Sequence, residues 1–179
     1  TKDYFFISST GKISRELYES RDNRDQDHSR DFLTVGSMGY SSQIAYGIAI
    51  KKPHTKIICL DGDGALLMHM GGMTTIGTSN LKNYNHIILN NGVHDSVGGQ
   101  PTLGFDVDFC KIADACNYKN VFGPLKTETE ISNALIELSS LNGPNFIDIR
   151  VKPGARADLG RPKSSPIENK KLFIEKLNN

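Results

Sequence analysis

The chain has 179 residues, a formal net charge of +1 and 37% hydrophobic residues. This length suits one compact domain with a real core, and the near-zero charge argues against bulk nucleic-acid binding, which needs a strongly basic surface. No apolar stretch is long enough to cross a membrane, and the N-terminal residues do not resemble a signal or transit peptide. We therefore expect a single domain over residues 1–179 that binds neither nucleic acid nor a membrane.

The charge is unevenly distributed. From Arg150 onward there are eight Lys and Arg residues against three Asp and Glu residues, so a basic tail from about residue 152 follows a slightly acidic body. Such a tail either faces an anionic ligand or is simply solvated. The three cysteines, Cys59, Cys110 and Cys116, are odd in number and lie in apolar or helical surroundings, which predicts buried, reduced thiols and a cytoplasmic protein.

Short apolar runs alternate with longer amphipathic segments. In the first half, the pattern predicts a strand at 4–8, a helix at 14–19, a charged loop at 21–31, a strand or helix lead-in at 32–35 and a helix at 40–51. In the second half it predicts a strand at 57–60, a helix at 66–80, a strand at 87–89, a Gly-rich loop at 92–106, helices at 107–117 and 128–141, a strand at 145–151 and a tail ending in one or two amphipathic turns. This alternation predicts a doubly wound α/β fold, with a mostly parallel sheet and helices on both faces.

Small, oxygen-bearing residues follow two of the predicted strands. Asp61-Gly62-Asp63-Gly64 follows the run 57–60, and Asn90-Asn91-Gly92 follows the run 87–89. In doubly wound folds, ligands bind outside the carboxyl ends of the strands. Carboxylate, amide and backbone carbonyl oxygens suit Mg²⁺, and glycines let a diphosphate approach the backbone closely. The two clusters therefore predict a magnesium-diphosphate site.

Other sites are less consistent with these residues. An EF-hand loop counted from Asp61 would need Glu at its twelfth position, where Gly72 stands. The Walker A motif and the dinucleotide-binding glycine fingerprint are both absent. The Asp61-x-Asp63 pair by itself also suits a metal-dependent glycosyltransferase, which remains an alternative at this point.

Gly62-Asp63-Gly64, followed after 25 residues by Asn90-Asn91, resembles the diphosphate and magnesium motif of thiamine-diphosphate enzymes. The segments "TVGSMGYSSQIAYGIA", "SSTGKISRELYESRD", "NNGVHDSVGGQPT" and "ARADLGRP" extend the likeness over nearly the whole chain. Together they resemble the thiamine-diphosphate-dependent decarboxylases that act on phosphonopyruvate, with the β-chains of sulfopyruvate decarboxylases as near relatives.

The resemblance implies a role for each matching position. The Mg²⁺ ligands would be the side chains of Asp63 and Asn91 and the carbonyl of Val93. The diphosphate and the rest of the cofactor would be bordered by Thr10, Gly11, Gly62, Gly64 and Ala65. The carbonyl of Gly36 would accept a hydrogen bond from the aminopyrimidine, and Met38, next to Ser37, would press the pyrimidine towards the thiazolium. The catalytic candidates are Met38, His94 and Ser96.

The implied activity is that of a carboxy-lyase. With thiamine diphosphate and Mg²⁺, a small anionic 2-oxo acid would be decarboxylated, phosphonopyruvate yielding phosphonoacetaldehyde and CO₂ in phosphonate biosynthesis. Sulfopyruvate is the alternative substrate. In this family a glutamate on a pyrimidine-binding domain activates the cofactor, and we find no such domain in this chain. We therefore expect a pyrimidine-binding partner domain or subunit, a homo- or hetero-oligomer, and no turnover by the chain alone.

Several alternatives stay open. The chain could be a non-catalytic, cofactor-binding assembly module. Met38 could be an ordinary core residue and His94 an ordinary loop residue. Asp61 is expected to accept hydrogen bonds from backbone amides rather than bind metal, and His69 to lie in the core. Arg156 and Arg161 either pair with acidic neighbours or bind the substrate's anionic group, since an Arg fork suits such oxyanions.

Overall fold

The computed structural model describes residues 4–179. Six strands form one sheet: Tyr4–Ser8 (β1), Asp31–Leu33 (β2), Lys56–Gly62 (β3), Tyr84–Asn90 (β4), Asn120–Leu125 (β7) and Asn145–Arg150 (β8). Their order is β2-β1-β3-β4-β8-β7, and every neighbouring pair is parallel. Two further strands, Val93–His94 (β5) and Gln100–Pro101 (β6), form a separate antiparallel hairpin.

Helices cover both faces of the sheet: Lys12–Asp22 (α1), Ser41–Lys51 (α2), Asp63–Met68 (α3), Gly72–Gly77 (α4), Phe109–Ala115 (α5), Glu128–Ser140 (α6) and Pro166–Asn178 (α7). Because strand side chains alternate between faces, Ile57 lies in the larger apolar cluster and Ile58 in the smaller one. The larger cluster includes Phe109 of α5, and the smaller includes Leu138 of α6. The predicted doubly wound α/β fold is confirmed.

The connections that follow the neighbouring strands β1 and β3 run in opposite directions along the sheet, to β2 and to β4. The chain runs outward from β1 to the edge strand β2 and then returns to β3 on the other side of β1. Such a reversal opens a crevice at the carboxyl ends of the two central strands. Ser9–Gly11 follow β1 and Asp63 follows β3, so two of the predicted site segments meet at this crevice.

The end of the tail is a helix of 13 residues, longer than the one or two turns predicted. Ser165 caps it, with Glu168 completing the reciprocal pair of cap hydrogen bonds. The Phe173 ring lies 5.5 Å from the ring centres of both Phe5 and Phe32. The packing of this aromatic ring helps to hold α7 against the sheet, and the charge-rich sequence of the tail did not reveal it.

Two other element predictions, and the predicted burial of two cysteines, are corrected. The predicted helix 66–80 divides into α3 and α4, since the backbone of His69 leaves the helical region. Strand β7 was missed because Gly123 and Pro124 interrupt its apolar alternation and shift its register against β8. Cys110 and Cys116 are only half-buried, whereas Cys59 is fully buried; all three are free thiols.

His69 is also half-buried rather than in the core, with its ring centre 4.2 Å from that of Tyr40. Within residues 4–179, none of the helices combines the length and the apolar composition that crossing a bilayer would require.

Candidate functional site

The crevice between β1, β3 and β4 holds a cavity of about 270 Å³. Ten of the residues singled out from the sequence line it: Thr10, Met38, Gly62, Asp63, Gly64, Ala65, Asn91, Val93, His94 and Ser96. An adjoining cavity of about 570 Å³ is lined by Gly11, Gly36 and Ser37, and it shares Thr10, Met38 and Ser96 with the first. We call them the diphosphate cavity and the outer cavity. The fold thus gathers every predicted site residue into two connected spaces.

Asp63 is the first residue of α3 and is almost completely buried. Its Oδ2 accepts a hydrogen bond from the hydroxyl of Thr102, and its Oδ1 accepts a longer one, 3.4 Å, from the backbone N–H of Asn91. The carboxylate is thereby held in one orientation at the carboxyl end of β3. A buried carboxylate with only neutral donors beside it is a favourable position for a cation.

Asn91 is oriented by the loop that follows β4. Its Nδ2 donates to Asp95 over 2.6 Å, and its Oδ1 accepts from the N–H of Val93 over 3.1 Å. An amide oxygen has two lone pairs, so Oδ1 keeps one for a further partner. In the hairpin the N–H of Thr102 donates to the carbonyl of Gly92, so Val93 and Pro101 form a non-hydrogen-bonded pair and the Val93 carbonyl points away from the partner strand. Both oxygens can therefore accept a metal ion.

These oxygens fit the implied cofactor. One carboxylate, one amide oxygen and one backbone carbonyl form a hard donor set of the kind Mg²⁺ accepts alongside phosphate oxygens. Lys12 and Lys152 line the same cavity and supply positive charge for an anion. The residues present thus suit a diphosphate with its divalent cation.

Residue 64 must be glycine because the His94 ring lies very close to its backbone. A Cβ placed there would lie 2.3 to 2.5 Å from two ring atoms of His94, so the imidazole rests directly on the backbone of α3. His94, predicted to face the substrate, therefore lies at the wall of the diphosphate cavity, where it limits the space above Gly64.

A second layer supports the loop beneath Asp63, and the sequence did not single it out. Asn90 is fully buried and its Nδ2 donates to the carbonyl of Gly104 over 2.7 Å; Arg150 donates to the same carbonyl over 2.8 Å. A Cβ on Gly104 would lie 2.4 Å from Asp63 Oδ2 and 2.6 Å from Asn90 Oδ1. The unusual length of loop 92–106 was the available signal that this segment is functional.

The segment around Met38 connects the two cavities. The backbone N–H of Gly36 donates to the hydroxyl of Thr10 over 3.2 Å. Ser37 has a φ of 49°, a left-handed conformation that is uncommon outside glycine and tends to occur at functional sites. Met38 is half-buried and borders both cavities, so it is not an ordinary core methionine.

Asp61 faces away from the diphosphate cavity. Its Oδ1 accepts from the N–H of Gly62 over 3.0 Å, as predicted for a structural carboxylate, and its Oδ2 lies 3.5 Å from Nε2 of the buried His86. The His86 Nδ1 lies 3.2 Å from the Tyr118 hydroxyl. Burial raises the pKa of Tyr118 and, together with the Asp61 charge, that of Cys59 beside it. The buried side chains around Asp61 thus support the end of β3 from inside the core.

Arg156 pairs with Glu19 over 2.6 Å and also lies 3.8 Å from Asp158. The acidic-neighbour alternative is therefore correct for this residue. The same contact fixes the start of the basic tail against α1.

Comparison with known proteins agrees with this geometry. Residues 9–149 match the family profile described as thiamine pyrophosphate enzyme, C-terminal TPP binding domain. A phosphonopyruvate decarboxylase of Streptomyces viridochromogenes is 39% identical over 96% of this chain, which spans 42% of that relative's length. The sulfopyruvate decarboxylase subunit beta of Methanocaldococcus jannaschii is 37% identical over 73% of this chain and 68% of its own length.

An X-ray structure of a thiamin diphosphate-dependent enzyme from Mycobacterium smegmatis superposes with a TM-score of 0.65, covering 86% of this chain and 29% of that one, at 17% identity. At this identity the likeness establishes the fold alone. The profile match, which spans most of the chain, excludes the glycosyltransferase alternative. The chain therefore belongs to the thiamine pyrophosphate enzyme family, as its C-terminal TPP-binding domain.

Proposed function

We propose that this chain is the diphosphate- and Mg²⁺-binding half of a thiamine-diphosphate-dependent decarboxylase of a small anionic 2-oxo acid. The observation that carries the proposal is the convergence of Asp63, Asn91 and the Val93 carbonyl in one cavity with Lys12 and Lys152. Phosphonopyruvate is the first candidate substrate and sulfopyruvate the second, since relatives named for both acids match the chain.

Each element of the site has a part in this reaction. Asp63, Asn91 and Val93 would hold the Mg²⁺ that neutralises the diphosphate, and the backbone around Gly62 and Gly64 would lie against the phosphate oxygens. Met38, between the two cavities, would enforce the bent shape of the cofactor. When bound, thiamine diphosphate supplies the carbanion and the electron sink for loss of CO₂. The protein contributes orientation and a partly dry, preorganised environment.

The activating glutamate would come from a pyrimidine-binding domain or subunit. The chain spans about two fifths of the length of the phosphonopyruvate decarboxylases it matches, whereas the sulfopyruvate relative is named as a subunit. We propose that the working enzyme is an oligomer in which this chain meets such a partner. Decarboxylation of phosphonopyruvate by the purified chain alone, above the rate in buffer, would refute the need for a partner.

Titration calorimetry tests the cofactor site. Thiamine diphosphate is titrated into the chain with Mg²⁺, then with EDTA, and then into Asp63→Ala with Mg²⁺. We expect binding that needs Mg²⁺ and is weakened at least about 100-fold by the substitution, because a metal ligand and its charge are lost. The exposed Asp106→Ala is the matched control. Binding that is indifferent to both Mg²⁺ and Asp63 would contradict the proposed site.

The alternative of a non-catalytic assembly module makes a different prediction. Such a module could bind the cofactor but would gain no decarboxylase activity when mixed with a pyrimidine-domain partner. Activity of the mixture that disappears with Asp63→Ala would exclude it.

A further inference from the structure

The outer cavity differs from the diphosphate cavity in the charges of its lining. The diphosphate cavity is lined by Glu16, Asp63 and Asp95 as well as by Lys12 and Lys152, whereas within residues 4–179 no acidic residue lines the outer cavity. Two arginines line the outer cavity instead: Arg15 from α1 and Arg161 from the basic tail. The outer cavity therefore presents unbalanced positive charge.

Neither of these guanidinium groups is engaged within the described part of the chain. In residues 4–179, Arg15 and Arg161 form no ion pair and no side-chain hydrogen bond, in contrast to Arg21, Arg150 and Arg156, which each pair with a carboxylate. An arginine that lines a concave surface without a partner is suited to bind an oxyanion, since its planar fork can donate two parallel hydrogen bonds.

A third donor lies in the same wall. Ser164 lines the outer cavity, and within residues 4–179 its hydroxyl oxygen is buried without any hydrogen-bond partner. A buried hydroxyl left unpaired is costly, and an oxyanion would satisfy it. Two other hydroxyls in this wall are already used: Ser14 donates to the carbonyl of Ser9, and Thr34 donates to that of Ser8.

The position of these donors in the outer cavity suits the anionic group of a substrate better than a phosphate of the cofactor. The outer cavity borders Met38 and Ser96, the residues it shares with the diphosphate cavity. A ligand there would lie on the other side of Met38 from the proposed Mg²⁺ ligands. The exposed apolar side chains of Val35 and Val97 also line the outer cavity, and among residues 4–179 the arginines are its charged contacts.

We propose that Arg15 and Arg161, with the Ser164 hydroxyl, bind the terminal oxyanion of the substrate, a phosphonate or a sulfonate. This inference rests on the proposed function and adds the residues that select the substrate. Pyruvate lacks the terminal oxyanion, so these residues contribute to the binding of phosphonopyruvate and sulfopyruvate but not to that of pyruvate. They therefore set the preference for a doubly anionic acid.

The test uses the complete enzyme, containing this chain and its pyrimidine-binding half, loaded with thiamine diphosphate and Mg²⁺. Binding is measured by calorimetry with 3-phosphonopropionate and 3-sulfopropionate, inert analogues that lack the ketone, and the two arms show which oxyanion is preferred. We expect Arg15→Gln and Arg161→Gln each to raise the Kd of the preferred analogue about 10- to 100-fold, as for loss of a charge-assisted hydrogen bond.

Kinetics give a second readout. For the same variants we expect kcat/KM for the preferred substrate to fall about 10- to 100-fold, while kcat/KM for pyruvate changes less than about twofold. Arg15→Lys and Arg161→Lys keep the charge but lose the fork and should fall between wild type and the Gln variants. The controls are Arg24→Gln in the turn after α1 and Lys163→Gln in the tail, both exposed and outside the outer cavity.

The outcomes separate this inference from the proposed function. If thiamine diphosphate binding fails in the wild type, the proposed function is wrong. If the cofactor binds but neither analogue binds, or if the Gln variants reduce activity on pyruvate and on the anionic substrate equally, the substrate assignment is wrong. A Ser164→Ala variant that weakens analogue binding without lowering the melting temperature would support it further.

Discussion

The two cavities differ in how completely this chain builds them. Around the diphosphate cavity, Asp63, Asn91 and Asn90 are buried or half-buried, and each is held by hydrogen bonds from neighbouring loops. Around the outer cavity, Gly36 and Ser37 are exposed and the two arginines are free of partners in residues 4–179. The fold of this chain preorganises the diphosphate cavity. The outer cavity instead presents unpaired hydrogen-bond donors to a ligand or a partner protein.

This difference has a physical basis. A cation site needs fixed oxygens, so its ligands must be oriented before binding, and the surrounding hydrogen bonds provide that orientation. A substrate site between a cofactor and a second protein surface need not be complete in either half. Substitutions in the two regions should therefore have different consequences for cofactor binding and for stability.

Outside the proposed metal ligands, the largest effect on cofactor binding is expected from Gly104→Ala, in the layer beneath Asp63. Its Cβ would overlap both the Asp63 carboxylate and the Asn90 amide, so the loop must shift. We expect Mg²⁺-dependent binding of thiamine diphosphate to weaken about 100-fold and the free energy of unfolding to fall by about 2 kcal/mol. Calorimetry and urea denaturation measure the two quantities.

Gly47→Ala is its control, since a Cβ at that helical position meets nothing within 4 Å. Unchanged cofactor binding in Gly104→Ala would show that the site tolerates displacement and is less preorganised than its hydrogen bonds suggest.

A smaller effect is expected from Gly64→Ala. The new methyl group would displace the His94 ring, which is a movable side chain, so the fold should remain stable while the ring intrudes into the diphosphate cavity. We expect thiamine diphosphate to bind about tenfold more weakly. The double variant Gly64→Ala/His94→Ala should recover most of that loss. If the double variant binds no better than Gly64→Ala alone, the methyl group itself obstructs the ligand.

Asn169→Ala tests the region around the outer cavity, which Asn169 lines. The Asn169 amide is buried, donates to the carbonyl of Asp31 over 2.8 Å and accepts from the N–H of Leu33 over 3.0 Å, which ties α7 to the edge strand. We expect the free energy of unfolding to fall by about 2 kcal/mol, since two buried backbone groups lose their partner. Mg²⁺-dependent cofactor binding should change less than twofold by calorimetry at low temperature.

Asn178→Ala removes an exposed amide that contacts Lys52 and should cost less than about 0.5 kcal/mol. A large loss of cofactor affinity in Asn169→Ala would mean that the two cavities are mechanically coupled.

A small loss of cofactor affinity is expected from Thr10→Val, which removes the hydroxyl that accepts from the Gly36 N–H. This contact joins the residues after β1 to the segment that precedes Met38. We expect cofactor affinity to fall only about threefold, because one neutral hydrogen bond is lost. Thr10→Ser keeps the hydroxyl and should bind like wild type in the same titration.

Much of the fold followed from local patterns. The alternation of apolar runs and amphipathic segments predicted the parallel sheet, and the glycines and oxygen-bearing residues after residues 60 and 89 marked the strand ends at which the cavity opens. Strand β7 was not predicted because Gly123 and Pro124 interrupt its apolar alternation. The helix α7 was underestimated because its stability depends on Phe173 packing against Phe5 and Phe32, which are distant in sequence.

By itself, the sequence determined the fold class and the strand ends that carry the polar clusters, because those depend on periodicity and on residue type at short spacing; the individual Mg²⁺ ligands were implied by the family resemblance. Only the tertiary structure decided that Asp61 faces His86 in the core, that Gly104 and Asn90 support Asp63, and that Arg15 and Arg161 line one cavity. These arrangements bring together residues that are far apart in the sequence, and no local pattern encodes which distant side chains will meet when helices pack on a sheet.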